Sequence, residues 1–172
     1  QVASGATFQK SGSFTNAAGG TISGSGTIDV GAGNTLTNQG NLKPGGTGVA
    51  GTLSITGNLD NSGTIEAEIG GTTAGTQYDV IAVSGNVTLG GGTLNSTLIN
   101  SFVPAGQSFD MIAAGGTASG SFTTLNLPPG FNGAIVGNAF RLTHFGACAG
   151  ICWDGGAGTL NSSQSVSSEY GT

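Results

Sequence analysis

The sequence predicts an all-β protein: a β-solenoid resembling a parallel β-helix in the N-terminal half, and a longer-stranded, partly antiparallel β section after it. A pattern of threonine, a large apolar residue, three spacers, glycine, a small polar residue and a large apolar residue occurs four times. Glycine provides 35 of the 172 residues without a Gly-X-Y period, and it interrupts every window that would show helical periodicity. Apolar residues, 36% of the chain, alternate with polar ones over short runs, which indicates short strands.

The first section, residues 1–70, contains the repeat. Its copies span 7–14, 21–28, 35–42 and 52–59, so the first three are equally spaced and the fourth follows after a slightly longer interval. Each unit is too small to bury its own apolar side chains, so we expect neighbouring units to stack, with glycine at the corners where a positive φ is needed. If each copy formed one coil, the coils would be short for a parallel β-helix, so irregular coils are also expected.

Asparagine recurs just after the apolar positions of this section, at Asn16, Asn38 and Asn61. Two interpretations remain open. The three amides form a hydrogen-bonded ladder along a column of stacked turns, or asparagine is present only because it is common in turns.

The second section, residues 71–145, has longer predicted strands and turn signals at hairpin-like intervals, such as Gly90 to Gly92 and Pro128 to Gly130. Most aromatic residues lie here, and we interpret them as the core of an antiparallel β section rather than a ligand platform. They are Phe102, Phe109, Phe122, Phe131, Phe140 and Phe145.

The third section, residues 146–172, is rich in glycine and serine and contains both cysteines, Cys148 and Cys152. Because the composition is that of an exported chain, we expect these cysteines to be joined in a disulfide that locks a tight turn beside Trp153. The alternative is a redox-active pair, which would prefer a two-residue spacer at a helix start.

The charge pattern excludes several classes of partner. Three basic residues against eight acidic ones leave no surface that could neutralise phosphates, so nucleic acid is not an expected partner. No run of 18 apolar residues is present, so we predict no membrane-spanning helix. A start at Gln1 is typical either of a mature N-terminus or of a fragment boundary.

Candidate catalytic residues are few, and we predict no enzyme activity, no metal and no cofactor. His144 is the only histidine, so it cannot form a histidine-based metal cluster within one chain. Glu66 and Glu68 lie two apart, which places both carboxylates on one side of a strand. A solvated outer face is expected for them, and a polysaccharide-cleaving acid and base pair is the alternative.

Several segments resemble the passenger regions of bacterial autotransporter-type, adhesin-like surface proteins. They are Gly51 to Leu59, Tyr78 to Gly85, Thr93 to Asn95, Phe102 to Ile112 and Trp153 to Gly158. The resemblance covers residues 15 to 160 and implies an extracellular β-solenoid stem without a cofactor. Typical passengers are far longer, so the chain is expected to be either a fragment or a small protein that gains length by polymerising.

These observations predict an extracellular, non-enzymatic structural protein that assembles head-to-tail with identical subunits into a filament or stalk at the bacterial cell surface. Solenoid ends have unpaired backbone groups that must be covered. The segment expected to cross between subunits contains either Phe8 and Phe14 at the start or Val166 and Tyr170 at the end. A monomeric adhesin fragment that binds surface glycans is the first alternative, and a polysaccharide-degrading enzyme is the second.

Overall fold

The computed structural model describes residues 1–146, and this part of the chain is all-β, as predicted, with seventeen strands. The strands are β1 (Thr7–Gln9), β2 (Phe14–Asn16), β3 (Thr21–Gly24), β4 (Thr27–Asp29), β5 (Thr35–Asn38), β6 (Asn41–Pro44), β7 (Thr52–Thr56), β8 (Asn58–Asn61), β9 (Thr64–Ile69), β10 (Val80–Val83), β11 (Val87–Gly90), β12 (Thr93–Leu98), β13 (Ser108–Ala114), β14 (Ala118–Ser121), β15 (Thr124–Asn126), β16 (Phe131–Val136) and β17 (Ala139–His144). In residues 1–146 there is no helix of the length and apolarity that crossing a membrane requires.

The first fifteen strands form five stacked coils of three strands each. Sheet I has the order β1-β4-β7-β10-β13-β17-β16, sheet II has β2-β5-β8-β11-β14, and sheet III has β3-β6-β9-β12-β15. Pairing between successive coils is parallel throughout, which is the predicted solenoid. The antiparallel pairs are β13 with β17 and β16 with β17, near the end of the described chain.

The expectation that one copy of the repeat forms one coil is wrong. Phe14 ends the first copy and Ile28 ends the second, yet Phe14 pairs with Leu36 of sheet II, and Ile28 pairs with Phe8 of sheet I. The reason is that each coil has three sides, whereas each copy of the sequence repeat covers two. The copy at 7–14 joins β1 to β2, and the next copy joins β3 to β4. The coils are therefore longer than the interval between copies.

The core is a set of apolar columns that run through the coils. In sheet III the column is Ile22, Leu42, Ile65, Leu94 and Leu125, each paired in register with the next. The three middle members are at most 1% exposed, and burying each contributes about 1.5–3 kcal/mol. Stacking therefore supplies the stabilisation that no single coil has alone.

The parallel coils continue past residue 70 as far as β15, so much of the longer-stranded section also belongs to the solenoid. Phe109, Phe122 and Phe140 are buried there, and Phe102 and Phe131 pack partly against the same core. Phe145 is 52% exposed, so its assignment to the core is wrong. It follows the last strand and has no coil above it in the described chain.

Candidate functional site

The first coil is the candidate site, because all three of its strands lie at the edge of a sheet. In residues 1–146, β1, β2 and β3 each pair with a strand on one side only. Their outer N–H and C=O groups form a template to which further strands can add. The three edges face the same end of the solenoid, since each is the first strand of its sheet.

The interior of the solenoid is exposed at this end. Phe8 and Phe14 are the first members of inward columns whose second members, Ile28 and Leu36, are at most 2% exposed. Phe8 itself is 43% exposed, and its ring lies 5.6 Å from that of Phe14 at an angle of 53°. These two aromatic side chains, both predicted to contact another subunit, therefore lie together in an uncovered patch.

The opening residues cover only one corner of the first coil. Val2 forms an isolated parallel bridge with Gly24, and its N–H donates to the carbonyl oxygen of Ser23 at 2.8 Å. The N–H of Gly26 donates to the carbonyl oxygen of Val2 at 3.1 Å. Val2 thus takes the place of a preceding strand at the end of β3 and leaves β1 and β2 uncovered.

The opposite end is covered in part by the hairpin of β16 and β17. Phe140 of β17 packs edge-on against Phe122, with ring centroids 4.9 Å apart. Arg141 donates to both carboxylate oxygens of Asp110, at 2.6 and 3.0 Å, and these hydrogen bonds raise the pKa of Arg141. The hairpin extends sheet I only, so β14 and β15 remain edge strands of sheets II and III in the described chain.

The asparagine ladder exists. The side-chain amide of Asn16 donates to Oδ1 of Asn38 at 2.7 Å, and Asn38 donates to Oδ1 of Asn61 at the same distance. All three side chains are buried inside the solenoid. The alternative, that asparagine is present only because it suits turns, is wrong for these residues. The ladder fixes the register of coils one to three.

A second buried polar cluster was missed from the sequence, which showed the aspartates only as scattered residues. Asp79 is 1% exposed and accepts hydrogen bonds from the N–H of Gly51 at 2.7 Å and that of Glu68 at 2.8 Å. Burial is the main reason that the pKa of Asp79 is raised to about 7, and the negative charge of Glu68 raises it further. The two hydrogen bonds and the positive charge of Lys43 lower the pKa but do not outweigh burial. Asp79 comes just before β10, so its carboxyl group joins the start of coil four to both the start and the end of coil three.

The carboxylates of Glu66 and Glu68 point to the same side of β9, but they have different surroundings. Glu66 forms an ion pair with Lys43. Burial raises its pKa, but hydrogen bonds from Lys43 and Asn41 outweigh this and lower it. Glu68 is 9% exposed and accepts from the N–H of Gly48 at 2.7 Å, so the expected solvated face is wrong for Glu68. The loop between β6 and β7 covers it.

A shallow groove lies beside the ends of β12 and β15. It is lined by Ser96, Thr97, Leu98, Leu125, Asn126, Leu127 and Pro128. None of these described residues is charged. The walls therefore provide apolar contacts and amide or hydroxyl groups, without an acid and base pair.

The remaining predicted residues have simple positions. His144 ends β17, and its Nδ1 accepts a hydrogen bond from the N–H of Gly106 at 3.1 Å, as for an ordinary strand residue. Within residues 1–146 no three acidic or histidine side chains are grouped as a metal site would need. Four predicted residues lie outside the described part of the chain. They are Cys148, Cys152, Val166 and Tyr170.

No protein-family model matches this sequence, and no curated protein is significantly similar to it. The geometry of the first coil is therefore the main support for a function.

Proposed function

We propose that this chain is a non-enzymatic structural protein whose copies join end to end through the open first coil, forming a filament or stalk at the bacterial cell surface. The observation that carries the proposal is the coincidence of the uncovered edges of β1 and β2 with the aromatic patch of Phe8 and Phe14. Backbone hydrogen bonds to a neighbour would satisfy the edges, and the same contact would bury the aromatic patch.

The composition of the edge strands favours pairing with another copy of the chain. No charged residue occurs in β1, β2 or β3, nor in β14 or β15 at the other end. Soluble proteins commonly protect edge strands with charges, proline or a covering segment. Joining these strands would bury no charged side chain of the strands themselves. Two different surfaces in contact generate an open polymer rather than a closed dimer.

The proposed location rests on the surface composition and on the resemblance to surface-protein passengers. Only 6% of the residues are charged. A surface dominated by threonine, serine, asparagine and glycine suits a protein that assembles or lies on a cell envelope. The ladder of buried asparagines and the continuous apolar columns would give such a stalk axial rigidity.

Electron microscopy and light scattering of the intact protein test the proposal. We expect filaments in which five coils contribute about 24 Å of axial length, at ~4.8 Å per coil. A variant with Phe8→Asp and Phe14→Asp should remain monomeric because two charges replace the aromatic patch, while β1 and β2 still cover the second coil. If that variant polymerises as the intact chain does, the first coil is not the connector. A monodisperse intact protein that binds glycans saturably would support the adhesin alternative instead.

A further inference from the structure

Sheet I ends differently from the other two sheets. Beyond the fifth coil it is extended by β17 and β16, so its outermost strand in the described chain is β16, whereas sheets II and III end at β14 and β15. β16 has six residues, against four in β14 and three in β15. It contains no charged residue and no proline, and Val136 is 46% exposed. Long, uncharged edges of this kind are the ones to which further strands add most readily.

Backbone N–H groups of β16 face its outer side. The N–H of Phe145 donates to the carbonyl oxygen of Gly130 at 2.8 Å, just before the first residue pair of β16 and β17. From this bond onward, the alternation of an antiparallel ladder directs the N–H groups of Gly133 and Ile135 away from β17. The N–H of Gly133 donates instead to Oδ1 of Asn132, the preceding residue, at 2.7 Å. An added strand would supply backbone acceptors on this side.

The two antiparallel pairs restore the strand direction of the solenoid. β13 is antiparallel to β17, and β17 is antiparallel to β16, so β16 runs in the same direction as β13. β13 is in turn parallel to every earlier strand of sheet I, including β1. If β1 of a second copy paired parallel with β16, that copy would therefore keep the orientation of the first. Repeated addition in one orientation generates an open polymer.

From this relationship we infer that β1 of one copy adds in parallel to the free edge of β16 in the next copy, so that sheet I continues from molecule to molecule. The inference rests on the proposed end-to-end assembly and identifies the surface that receives the first coil. It assigns the junction to β16 rather than to β14 or β15, although those strands are also edges in the described chain.

The two edges suit each other in their side chains as well as in their direction. In the described chain the outer side of β1 is unpaired, whereas the end of β3 is already bridged by Val2. Phe8 lies on the interior side of β1, in register with the buried Ile28. On β16, Phe131 and Ile135 pack partly against the core. Joining the edges would bring Phe8 beside these two residues and remove apolar surface from water.

The axial repeat of the filament tests the inference without any variant. Seven strands of sheet I per copy, at ~4.8 Å each, give a repeat of about 34 Å. If β14 and β15 received the first coil instead, the repeat would be the ~24 Å of the five coils alone. Helical reconstruction from electron micrographs of the intact protein measures this distance. A repeat other than about 34 Å would overturn the inference and leave the proposed filament standing, whereas the absence of filaments would overturn both.

A proline variant tests the edge itself. Ile135→Pro removes an N–H that faces away from β17, and its ring obstructs the free edge while the bonds between β16 and β17 remain. Ile135→Ala is the matched control, because it also loses the side chain but keeps the N–H. We expect filaments from Ile135→Ala and only monomers from Ile135→Pro, by electron microscopy and light scattering. Circular dichroism checks that both variants fold. Filaments from both variants, or from neither, would contradict the inference, and the repeat of the intact protein decides it if Ile135→Pro does not fold.

Discussion

The amide of Asn38 donates to Oδ1 of Asn61 at 2.7 Å in the interior of the solenoid, where both residues are fully buried. Asn38 also accepts from Asn16, so it is the central member of a ladder through three coils. A slip of one residue in the register would turn these amides out of the interior and replace them with residues from the other face. The ladder therefore specifies which coil positions stack, in addition to stabilising them.

Replacing the central asparagine should destabilise the protein more than replacing the one at the end. In Asn38→Ala, the amide of Asn16 and Oδ1 of Asn61 both lose a partner, and each unsatisfied buried group costs about 1–3 kcal/mol. We expect a loss of about 3 kcal/mol in the free energy of unfolding, against about 1 kcal/mol for Asn16→Ala, since only one other member of the ladder, Asn38, then loses a partner. Urea denaturation measures both. Equal losses would show that the ladder does not act as a chain.

The corner glycines differ in the atoms that surround them, so alanine substitutions should lower the thermal midpoint to different extents. Gly92 has φ +75° and Gly33 has φ +80°, so alanine is strained at both, by about 1–2 kcal/mol. A methyl group at Gly92 would also collide with the carbonyl oxygen of Gly63 in the coil below, whereas nothing lies within 4 Å at Gly33. Gly92→Ala should therefore lower the thermal midpoint clearly more than Gly33→Ala. Similar midpoints would mean that the coils separate easily.

Asp79 should make the protein less stable as the pH rises. Its pKa is raised from 3.8 to about 7 in the folded state, with burial as the main cause. Between these two values the folded protein holds a proton that the unfolded chain has lost, so the free energy of unfolding falls with rising pH and then levels off. Chemical denaturation at a series of pH values from 4 to 8 measures this slope.

Two variants identify the group responsible for that slope. Asp79→Asn cannot ionise, so it should flatten the profile over this range. Glu66→Gln is the matched control: the pKa of Glu66 is lowered, so its contribution is lost only as the pH falls below the ordinary value of 4.5. The charged neighbours of Asp79 are Glu68 and Lys43, and both remain in each variant. A slope that persists in Asp79→Asn would assign the effect to another group.

The sequence was sufficient to predict the fold class because the relevant signals are local. Alternating apolar residues and glycine corners predict strands that must stack. The recurring asparagines indicate a ladder only as one of two interpretations. Coil length is not local, since Thr7 finds its partner Thr27 only after three sides of the coil have been completed. Because each copy of the sequence repeat covers only two of the three sides of a coil, the spacing of the copies predicted a coil length that is too short.

The sequence pattern also could not predict which acidic residues are buried. Asp79 is enclosed because Gly51, which precedes β7, and Glu68 of β9 donate their N–H groups to it from 28 and 11 residues away. Nothing next to Asp79 in the sequence marks these partners. The open first coil is a different case: Phe8 and Phe14 fall on inward positions of the first repeat, so their exposure follows from the position of that repeat in the stack.

The aromatic patch on the first coil provides the last prediction. Phe8→Asp places a charge where the proposed neighbour would bury an apolar surface, and an unpaired buried charge is strongly unfavourable. We expect filaments to disappear in electron microscopy and light scattering to report monomers. Val49→Asp is the control, because Val49 is also exposed, at 60% against 43%, but lies in the loop between β6 and β7, in the middle of the stack. Thermal denaturation should show that both variants remain folded, although Phe8→Asp loses the packing of its partly buried ring against Phe14. If Phe8→Asp still forms filaments of normal length, the first coil is not the contact between subunits.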